Sequence, residues 1–212
     1  MVETPPEIVS RMLNLLPVKV WESQDCGWLD PGCGTGNFAR EIAKRLSKYH
    51  DINRVKSAML DLVDINEDML LGLRADGYNC KCADFIEWSG DKTTQTYDVI
   101  VGNPPYNFGG IKKVPSNKVK DKKCDGKTIW PDFVKHGIEL LRPNGYLCFI
   151  TPALWLKKDN AGLNQLLLHN HDIHITHIYS MTDVETNHAF RGEAQIASTI
   201  FLLHKSSHQN PI

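Results

Sequence analysis

Short apolar segments alternate with amphipathic ones along the chain, and this alternation limits the possible folds more than any other feature. The apolar segments are predicted to be strands: CGWLD (26–30), AMLDLVD (58–64), YNCKCAD (78–84), YDVIVGN (97–103), GYLCFITP (145–152), IHITHIYS (173–180) and AQIASTIFLLHK (194–205). Helical periodicity marks four segments between them: 37–49, 66–77, 129–143 and 160–170. Strands that alternate with helices form βαβ crossovers, so the sequence predicts an α/β fold with a mostly parallel sheet and helices on both faces.

The length of the chain fits a single domain. Its 212 residues can build one α/β domain with a sizeable core but are too few for two. The formal net charge is −1, so affinity for phosphate would have to come from a local basic patch. Because no apolar run approaches the ~18 residues of a membrane span and no signal-peptide pattern is visible, we expect a cytoplasmic protein with no membrane contact.

Polar side chains close the first four predicted strands. They are Asp30, Asp64, Asp84 and Asn103. Parallel α/β sheets bind ligands in the crevice beyond the carboxyl ends of their strands. The sequence therefore predicts a ligand site that these four residues share.

A glycine turn, LDPGCGTGNF (29–38), joins the first strand to the first long helix. Gly32, Gly34 and Gly36 would let the backbone approach a ligand and direct helix-start N–H groups at it. No Gly-Lys-Ser/Thr follows, as a phosphate-binding P-loop requires, and Asn37 replaces the last glycine of the dinucleotide pattern. A tight turn without a ligand is the alternative.

The carboxylates at the next two strand ends favour a nucleoside ligand. Asp64 can accept hydrogen bonds from two ribose hydroxyls. Asp84 can bind an adenine amino group, and Phe85 can pack against the adenine ring. A solvated strand end or a helix cap is the alternative for each carboxylate.

In these features the chain resembles the class I S-adenosylmethionine-dependent methyltransferases. The resemblance implies a Rossmann-like sheet with an antiparallel strand near the carboxyl end, and S-adenosylmethionine as cofactor. The glycines would hold its methionine part, Asp64 the ribose and Asp84 the adenine, while Asp30 would orient the turn or bind the amino group. The cofactor-binding residues expected in this region are Asp30, Gly32, Gly34, Gly36, Asp64, Ile65, Asp84, Phe85 and Asn103.

The fourth predicted strand runs into Asn103, Pro104, Pro105 and Tyr106, the sequence NPPY. The exocyclic amine of adenine is a poor nucleophile, because its lone pair is delocalised into the ring. The Asn103 side-chain oxygen and the Pro104 carbonyl could accept its two N–H hydrogens, held still by the two prolines. Tyr106 would stack on the base. A proline-rich turn that only closes a strand is the alternative.

NPPY resembles the catalytic motif of amino-methyltransferases that act on DNA adenine, RNA adenine or protein glutamine. The order TPPEIV (4–9), glycine turn, NPPY, lysine-bearing loop and YLCFITPALWL (146–156) resembles the gamma-order DNA N6-adenine methyltransferases of restriction-modification systems. This resemblance implies cofactor contacts for Thr4 and Pro5, although Thr4 also fits a helix cap in a capping box with Glu7. It further implies a second aromatic side chain, which would pack on the other face of the target adenine after that base has left the duplex. Phe190 is the nearest match, with a place in the core as the alternative.

A lysine-rich loop, 107–127, follows NPPY directly. Members of the resembled family extrude the target adenine from the duplex, and phosphate contacts would hold the flanking backbone. The candidate phosphate contacts are Lys112, Lys113, Lys118, Lys120, Lys122, Lys123 and Lys127. A solvated loop is the alternative.

We expect no separate target-recognition domain after the last predicted strand, which would be a departure from the resembled family. We expect residues 1–212 to form a single catalytic domain. Recognition of the target sequence could depend on the basic loop or on a separate specificity subunit, or it could be absent. The candidate partners are DNA, such a specificity subunit and an endonuclease. The rival functions are methylation of RNA adenine or protein glutamine, and a cofactor-binding subunit without turnover.

Four histidines between His169 and His177 are spaced closely, but they straddle a predicted helix end and a strand. Cys80 and Cys82 have no second cysteine pair at zinc spacing. We expect no metal site.

Overall fold

The computed structural model describes residues 2–89, 97–110 and 127–206. Seven strands form one sheet: β1 Trp28–Pro31, β2 Leu60–Asp64, β3 Asn79–Cys82, β4 Tyr97–Gly102, β5 Leu141–Pro152, β6 Ile173–Met181 and β7 Ser198–Lys205. Their spatial order is β3-β2-β1-β4-β5-β7-β6. The first five strands are parallel, and β7 runs antiparallel to both β5 and β6. The predicted fold class, including the late antiparallel strand, is confirmed.

Helices cover both faces of this sheet. They are α1 Pro6–Leu13, α2 Lys19–Glu22, α3 Asn37–Leu46, α4 Ile52–Arg54, α5 Glu67–Ala75, α6 Trp130–Leu140, α7 Leu163–His169 and α8 Asp183–Ala189. Short 3₁₀ turns span Phe108–Gly110 and Ala153–Leu156, and a π-helical turn spans Val55–Met59. Within the described ranges, no helix is long and apolar enough to cross a bilayer.

Two apolar clusters form the core, one on each face. The first joins α1, α3 and α5 to the sheet through residues such as Met12, Ile42 and Leu70. The second joins α6 and α7 to the opposite face through residues such as Phe133 and Leu167. This two-sided burial explains why β1, β2, β4 and β7 are buried along most of their length instead of at alternate residues.

The helix ends show where the sequence-based expectations were incomplete. Helix α1 begins at Pro6 after an N-cap at Pro5 and has no side-chain cap, so the predicted Thr4 cap is wrong. Helix α8 was not predicted, although Thr182 and Glu185 form a capping box at its start. The TDVE sequence was the signal that would have revealed it.

The order of the strands reverses between β1 and β4, which lie side by side at the centre of the sheet. The chain continues from β1 into the glycine turn and from β4 into NPPY. Open α/β sheets bind ligands at such a switch point. The two motifs singled out in the sequence therefore meet where a ligand crevice is expected.

Gly36 offers a test of how tightly the glycine turn packs. It has φ +88°, and a Cβ there would lie 2.5 Å from a methyl carbon of Leu73, a side chain that is 1% exposed. Gly77 has φ +87° but open space around it. We expect Gly36→Ala to lower the free energy of unfolding by about 1–3 kcal/mol more than Gly77→Ala, measured by urea denaturation. Equal losses in the two variants would contradict this packing.

Candidate active site at the β1–β4 switch point

The glycine turn is fastened to the neighbouring strand by its backbone. The N–H groups of Gly32 and Cys33 donate to the carbonyl of Val63 in β2, at 2.7 and 3.1 Å. Gly32, Gly34 and Gly36 all have positive φ, a conformation that other residues rarely adopt. The turn is therefore built from glycine for a conformational reason, in addition to any contact with a ligand.

Asp64, the last residue of β2, holds the glycine turn through a hydrogen bond. Its carboxylate is 2% exposed and accepts the Gly34 N–H through Oδ2 and the Asn66 N–H through Oδ1, each at 2.9 Å. Each carboxylate oxygen has a further lone pair, so these bonds leave capacity for a ribose hydroxyl. The sequence did not reveal the anchoring role, because it depends on a turn thirty residues earlier in the chain.

Asp30 is a buried carboxylate without a hydrogen-bond partner among the described residues. It is 1% exposed, and one oxygen would lie 3.2 Å from a Cβ placed on Gly102. Burial, and then the nearby charge of Asp64, raise the pKa of Asp30 well above its ordinary value. A buried acceptor of this kind is compatible with a cationic group, such as the amino group expected of the cofactor.

The residues that follow β2 and β3 differ in how far their side chains are exposed to solvent. Ile65 is 61% exposed directly after Asp64, so its side chain is open for contact with a flat ring. Phe85 is 2% exposed and packs on Phe133, with ring centroids 5.0 Å apart, so its ring is part of the core. Asp84 Oδ1 accepts the Ile86 N–H at 3.0 Å, so this carboxylate stabilises the turn that follows β3. The proposed adenine contacts of Asp84 and Phe85 stay predictions.

Asn103 lies directly after β4 with its amide held at one end. Its Nδ2 donates to Thr4 Oγ1 at 3.1 Å, whereas Oδ1 is buried and has no partner among the described residues. The following proline ring lies against the glycine turn, because Pro105 Cδ is 3.4 Å from the position of a Cβ on Gly32. The NPPY segment, which carries the expected amine acceptor, and the glycine turn, which carries the expected cofactor contacts, are therefore neighbours.

Thr4 connects these two halves of the site. It is 6% exposed, and its carbonyl accepts from Asn37 Nδ2 at 3.0 Å while its hydroxyl accepts from Asn103. Asn37 is the first residue of α3, which follows the glycine turn. Pro5 is buried beside Thr4. The amino-terminal segment thus belongs to the site, although not through the predicted cap.

The two aromatics predicted to sandwich a base are in different surroundings. Tyr106 is partly buried against the α6-side core, and burial raises the pKa of its hydroxyl. Phe190 is 3% exposed in the cluster on the other face, so neither face of its ring is open to a base in this structure. For Phe190, the observed position is that of the alternative interpretation, a core residue.

The described ends of the basic loop lie together beside NPPY. Phe108 N–H donates to the Lys127 carbonyl at 2.8 Å, and Asn107 forms a β-bridge with Thr128. Lys127 is exposed. The predicted contacts Lys112, Lys113, Lys118, Lys120, Lys122 and Lys123 lie outside the described residues. Among the residues that are described, no group of three or more His, Cys, Asp or Glu side chains could hold a metal ion.

Comparison with known proteins identifies the family. Residues 33–185, which include NPPY and most of the glycine turn, match the model of the Eco57I restriction-modification methylase family. The chain belongs to this family. As an Eco57I-type methylase it carries a class I methyltransferase sheet, and S-adenosylmethionine is the cofactor for which this family and fold provide the site.

Individual relatives of this Eco57I-type methylase include a type II methyltransferase and a tRNA methyltransferase. The type II methyltransferase M.TthHB8I of Thermus thermophilus is 29% identical over 176 residues, which cover 76% of this chain and 36% of that protein. The tRNA1(Val) (adenine(37)-N6)-methyltransferase of Enterobacter sp. strain 638 is 26% identical over 124 residues, 58% of this chain and 50% of that one. The chain thus spans half or less of the length of these two relatives.

Solved structures confirm the fold of the Eco57I-type methylase. The methyltransferase subunit of a type I restriction-modification system from Streptococcus thermophilus superimposes with a TM-score of 0.68 at 18% identity, over 99% of this chain and 46% of that one. A Listeria monocytogenes structure described as a class I S-adenosylmethionine-dependent methyltransferase gives a TM-score of 0.64 at 20% identity, over 98% of this chain and 62% of that one.

The raised pKa of the buried Asp30 carboxyl should make the stability of the protein depend on pH. Because its pKa is raised in the folded state, the native protein gains from protonating it, and this gain is lost as the pH rises above the ordinary aspartate pKa of about 4. Asp30→Asn removes the titration. We therefore expect the variant to gain stability relative to the wild type between pH 4 and pH 8, measured by urea denaturation without cofactor. A difference that does not change with pH would contradict the assignment.

Proposed function

We propose that this chain transfers a methyl group from S-adenosylmethionine to the N6 amine of adenine in DNA. The observation that carries the proposal is Asn103 Oδ1, which has no partner among the described residues and lies in the NPPY segment, the neighbour of the glycine turn at the switch point. An acceptor in this place suits a donor N–H, and the adenine amine has two. Similarity to the type II methyltransferase M.TthHB8I and membership of a restriction-modification methylase family support DNA as substrate.

Asn103 and Pro104 would prepare the amine for attack. When Asn103 Oδ1 and the Pro104 carbonyl each accept one N–H hydrogen, the nitrogen lone pair is drawn out of conjugation with the ring. Bound S-adenosylmethionine supplies the electrophilic methyl group. The two prolines restrict the backbone at Asn103 and Pro104, so the acceptors need little reorganisation when the base arrives.

Access to the acceptor requires both the substrate and the protein to move. Asn103 Oδ1 is buried in the free protein, so neighbouring groups must shift before an amine can reach it. The adenine must also leave its stack, at a few kcal/mol, before it can enter the site. Tyr106 lies two residues after Pro104 and is the proposed stacking partner of the flipped base.

Exposed cations at the carboxyl edge provide a candidate phosphate surface. Lys157 and Lys158 follow the 3₁₀ turn at the end of β5, the strand next to β4, and both are exposed. The nearest acidic residue in sequence, Asp159, is engaged by the Leu163 and Asn164 N–H groups at the start of α7. Together with Lys127 and the proposed lysines of the 107–127 loop, this pair would hold the backbone on either side of the flipped base.

RNA adenine is the second candidate substrate, because one relative is described as a tRNA adenine-N6 methyltransferase. Incubation of the chain with tritiated S-adenosylmethionine and, separately, duplex DNA, tRNA and total protein distinguishes the substrates. We expect label in DNA as N6-methyladenine. Label only in tRNA or only in protein glutamine would contradict the DNA assignment. Cofactor binding without transfer would indicate a subunit of a larger complex, with a specificity subunit or endonuclease as partner.

Asn103→Ala tests the proposed acceptor. We expect it to lower the turnover number by about a hundredfold or more, because the amine loses one of its two acceptors, while the Kd for S-adenosylhomocysteine changes less than threefold. Single-turnover methylation and calorimetry measure the two quantities. Turnover close to that of the wild type would remove Asn103 from the chemistry.

Salt dependence tests the lysine surface. We expect Lys157→Gln with Lys158→Gln to reduce the slope of log K against log salt for duplex DNA, by up to about 0.9 for each phosphate that the variant no longer neutralises. A further reduction should follow when glutamine replaces four lysines of the basic loop, Lys118, Lys120, Lys122 and Lys123.

The control for this measurement replaces lysines on the amino-terminal side of the sheet. Lys44→Gln with Lys48→Gln, on and just after α3, should leave the slope unaltered. Equal slopes in all variants would contradict the proposed role, because they would show that these lysines are solvated and do not contact phosphate.

A further inference from the structure

We propose that Thr4 is a positioning residue that determines which end of the Asn103 amide faces the substrate. The inference rests on the proposed methylation of an amine, and it adds a requirement that the NPPY motif alone does not contain. Its basis is one contact between distant parts of the chain, the hydrogen bond from Asn103 Nδ2 to Thr4 Oγ1 at 3.1 Å.

The orientation of the amide decides whether the site can work. An asparagine side chain presents an acceptor at one end and two donors at the other. With Oδ1 towards the substrate, Asn103 can accept an amine hydrogen. Turned by 180°, it would direct N–H groups at the N–H groups of the amine, and the activation described above would be lost.

Thr4 holds a fixed acceptor for the nitrogen end. Its carbonyl is bonded to Asn37 Nδ2 at 3.0 Å, and the preceding residue is held by the bond from Thr35 Oγ1 to Glu3 Oε1 at 2.9 Å. After Thr4 the chain enters α1, whose inner face is buried at Ile8, Val9, Met12 and Leu13. Both sides of Thr4 are therefore anchored, so its hydroxyl has little freedom to follow a rotating amide.

The surroundings also disfavour the rotated amide. A threonine hydroxyl could donate to Oδ1 in that arrangement, but the amide nitrogen would then occupy the buried position that has no partner among the described residues. A buried carbonyl oxygen without a partner is tolerated better than a buried N–H without one. The observed orientation is thus the favoured one, and it leaves Oδ1 able to accept from the substrate once the groups that bury it have shifted.

Replacement of Thr4 by Val and by Ser tests the hydroxyl. Thr4→Val keeps the shape but removes the acceptor, and we expect turnover on DNA to fall about tenfold with little change in KM for DNA. Thr4→Ser keeps the hydroxyl and should restore turnover to within about threefold of the wild type. Thr186→Val removes another buried hydroxyl contact, to Ser198 at 2.9 Å, and controls for lost stability. It should leave turnover unchanged.

A double-mutant cycle with Asn103→Asp separates orientation from any direct contact of Thr4 with the cofactor. The carboxylate of Asn103→Asp presents an oxygen whichever way it is turned, so orientation no longer matters. We therefore expect Thr4→Val to reduce turnover less than threefold in the Asn103→Asp background, against about tenfold in the wild type. If Asn103→Asp has no measurable turnover, the Ser rescue and the separation of turnover from KM decide the question.

Three results would overturn the proposal: an equal penalty for Thr4→Val in both backgrounds, failure of Thr4→Ser to restore turnover, or a loss carried by KM alone. Wild-type turnover on DNA together with any of these results rejects the role of Thr4 and leaves the proposed function intact. Absence of methyl transfer by the wild type to DNA, RNA or protein rejects both.

Discussion

The close approach of two loops at the centre of the sheet is the contact on which the site depends. β1 and β4 are neighbours, and Pro105 of the second loop lies so near Gly32 of the first that a side chain there would lie 3.4 Å from the proline ring. A Cβ on Gly32 would thus be at about van der Waals distance from the Pro105 ring, so the glycine turn and the NPPY segment are close neighbours. The segment proposed to accept the substrate amine and the turn expected to bind the cofactor are therefore neighbours, as the proposed direct methyl transfer requires.

Two buried polar groups stand unpaired where a ligand would pair them. Asp30 and Asn103 Oδ1 are buried acceptors without partners among the described residues, and they lie on or directly after the two strands that flank the switch point. Buried groups in this state destabilise a fold that binds nothing. In contrast, Asp64 is equally buried but satisfied by two backbone N–H groups, which keep the turn in place. The candidate site thus combines a turn held by hydrogen bonds with two buried acceptors that the proposed cofactor and substrate would pair.

The sequence predicted the sheet and the location of the site because both follow from local patterns. Apolar runs and helical periodicity marked the strands, and the polar strand ends Asp64 and Asn103 lie where expected. The sequence could not show that Thr4 bonds to Asn103, since 99 residues separate them. Nor could it distinguish a core aromatic from a stacking one: Phe85 and Phe190 are both almost fully buried, and an aromatic side chain is suited equally to either place.

The account depends on Asn103 Oδ1 accepting a hydrogen from the substrate amine. A crystal structure of the chain with S-adenosylhomocysteine and a duplex that contains a target adenine measures this contact directly. The account predicts an extrahelical adenine whose N6 lies within hydrogen-bond distance of Asn103 Oδ1, about 2.7–3.2 Å, and beside the glycine turn. An adenine bound with its N6 away from Asn103, or the Asn103 amide nitrogen directed at the base, would contradict it.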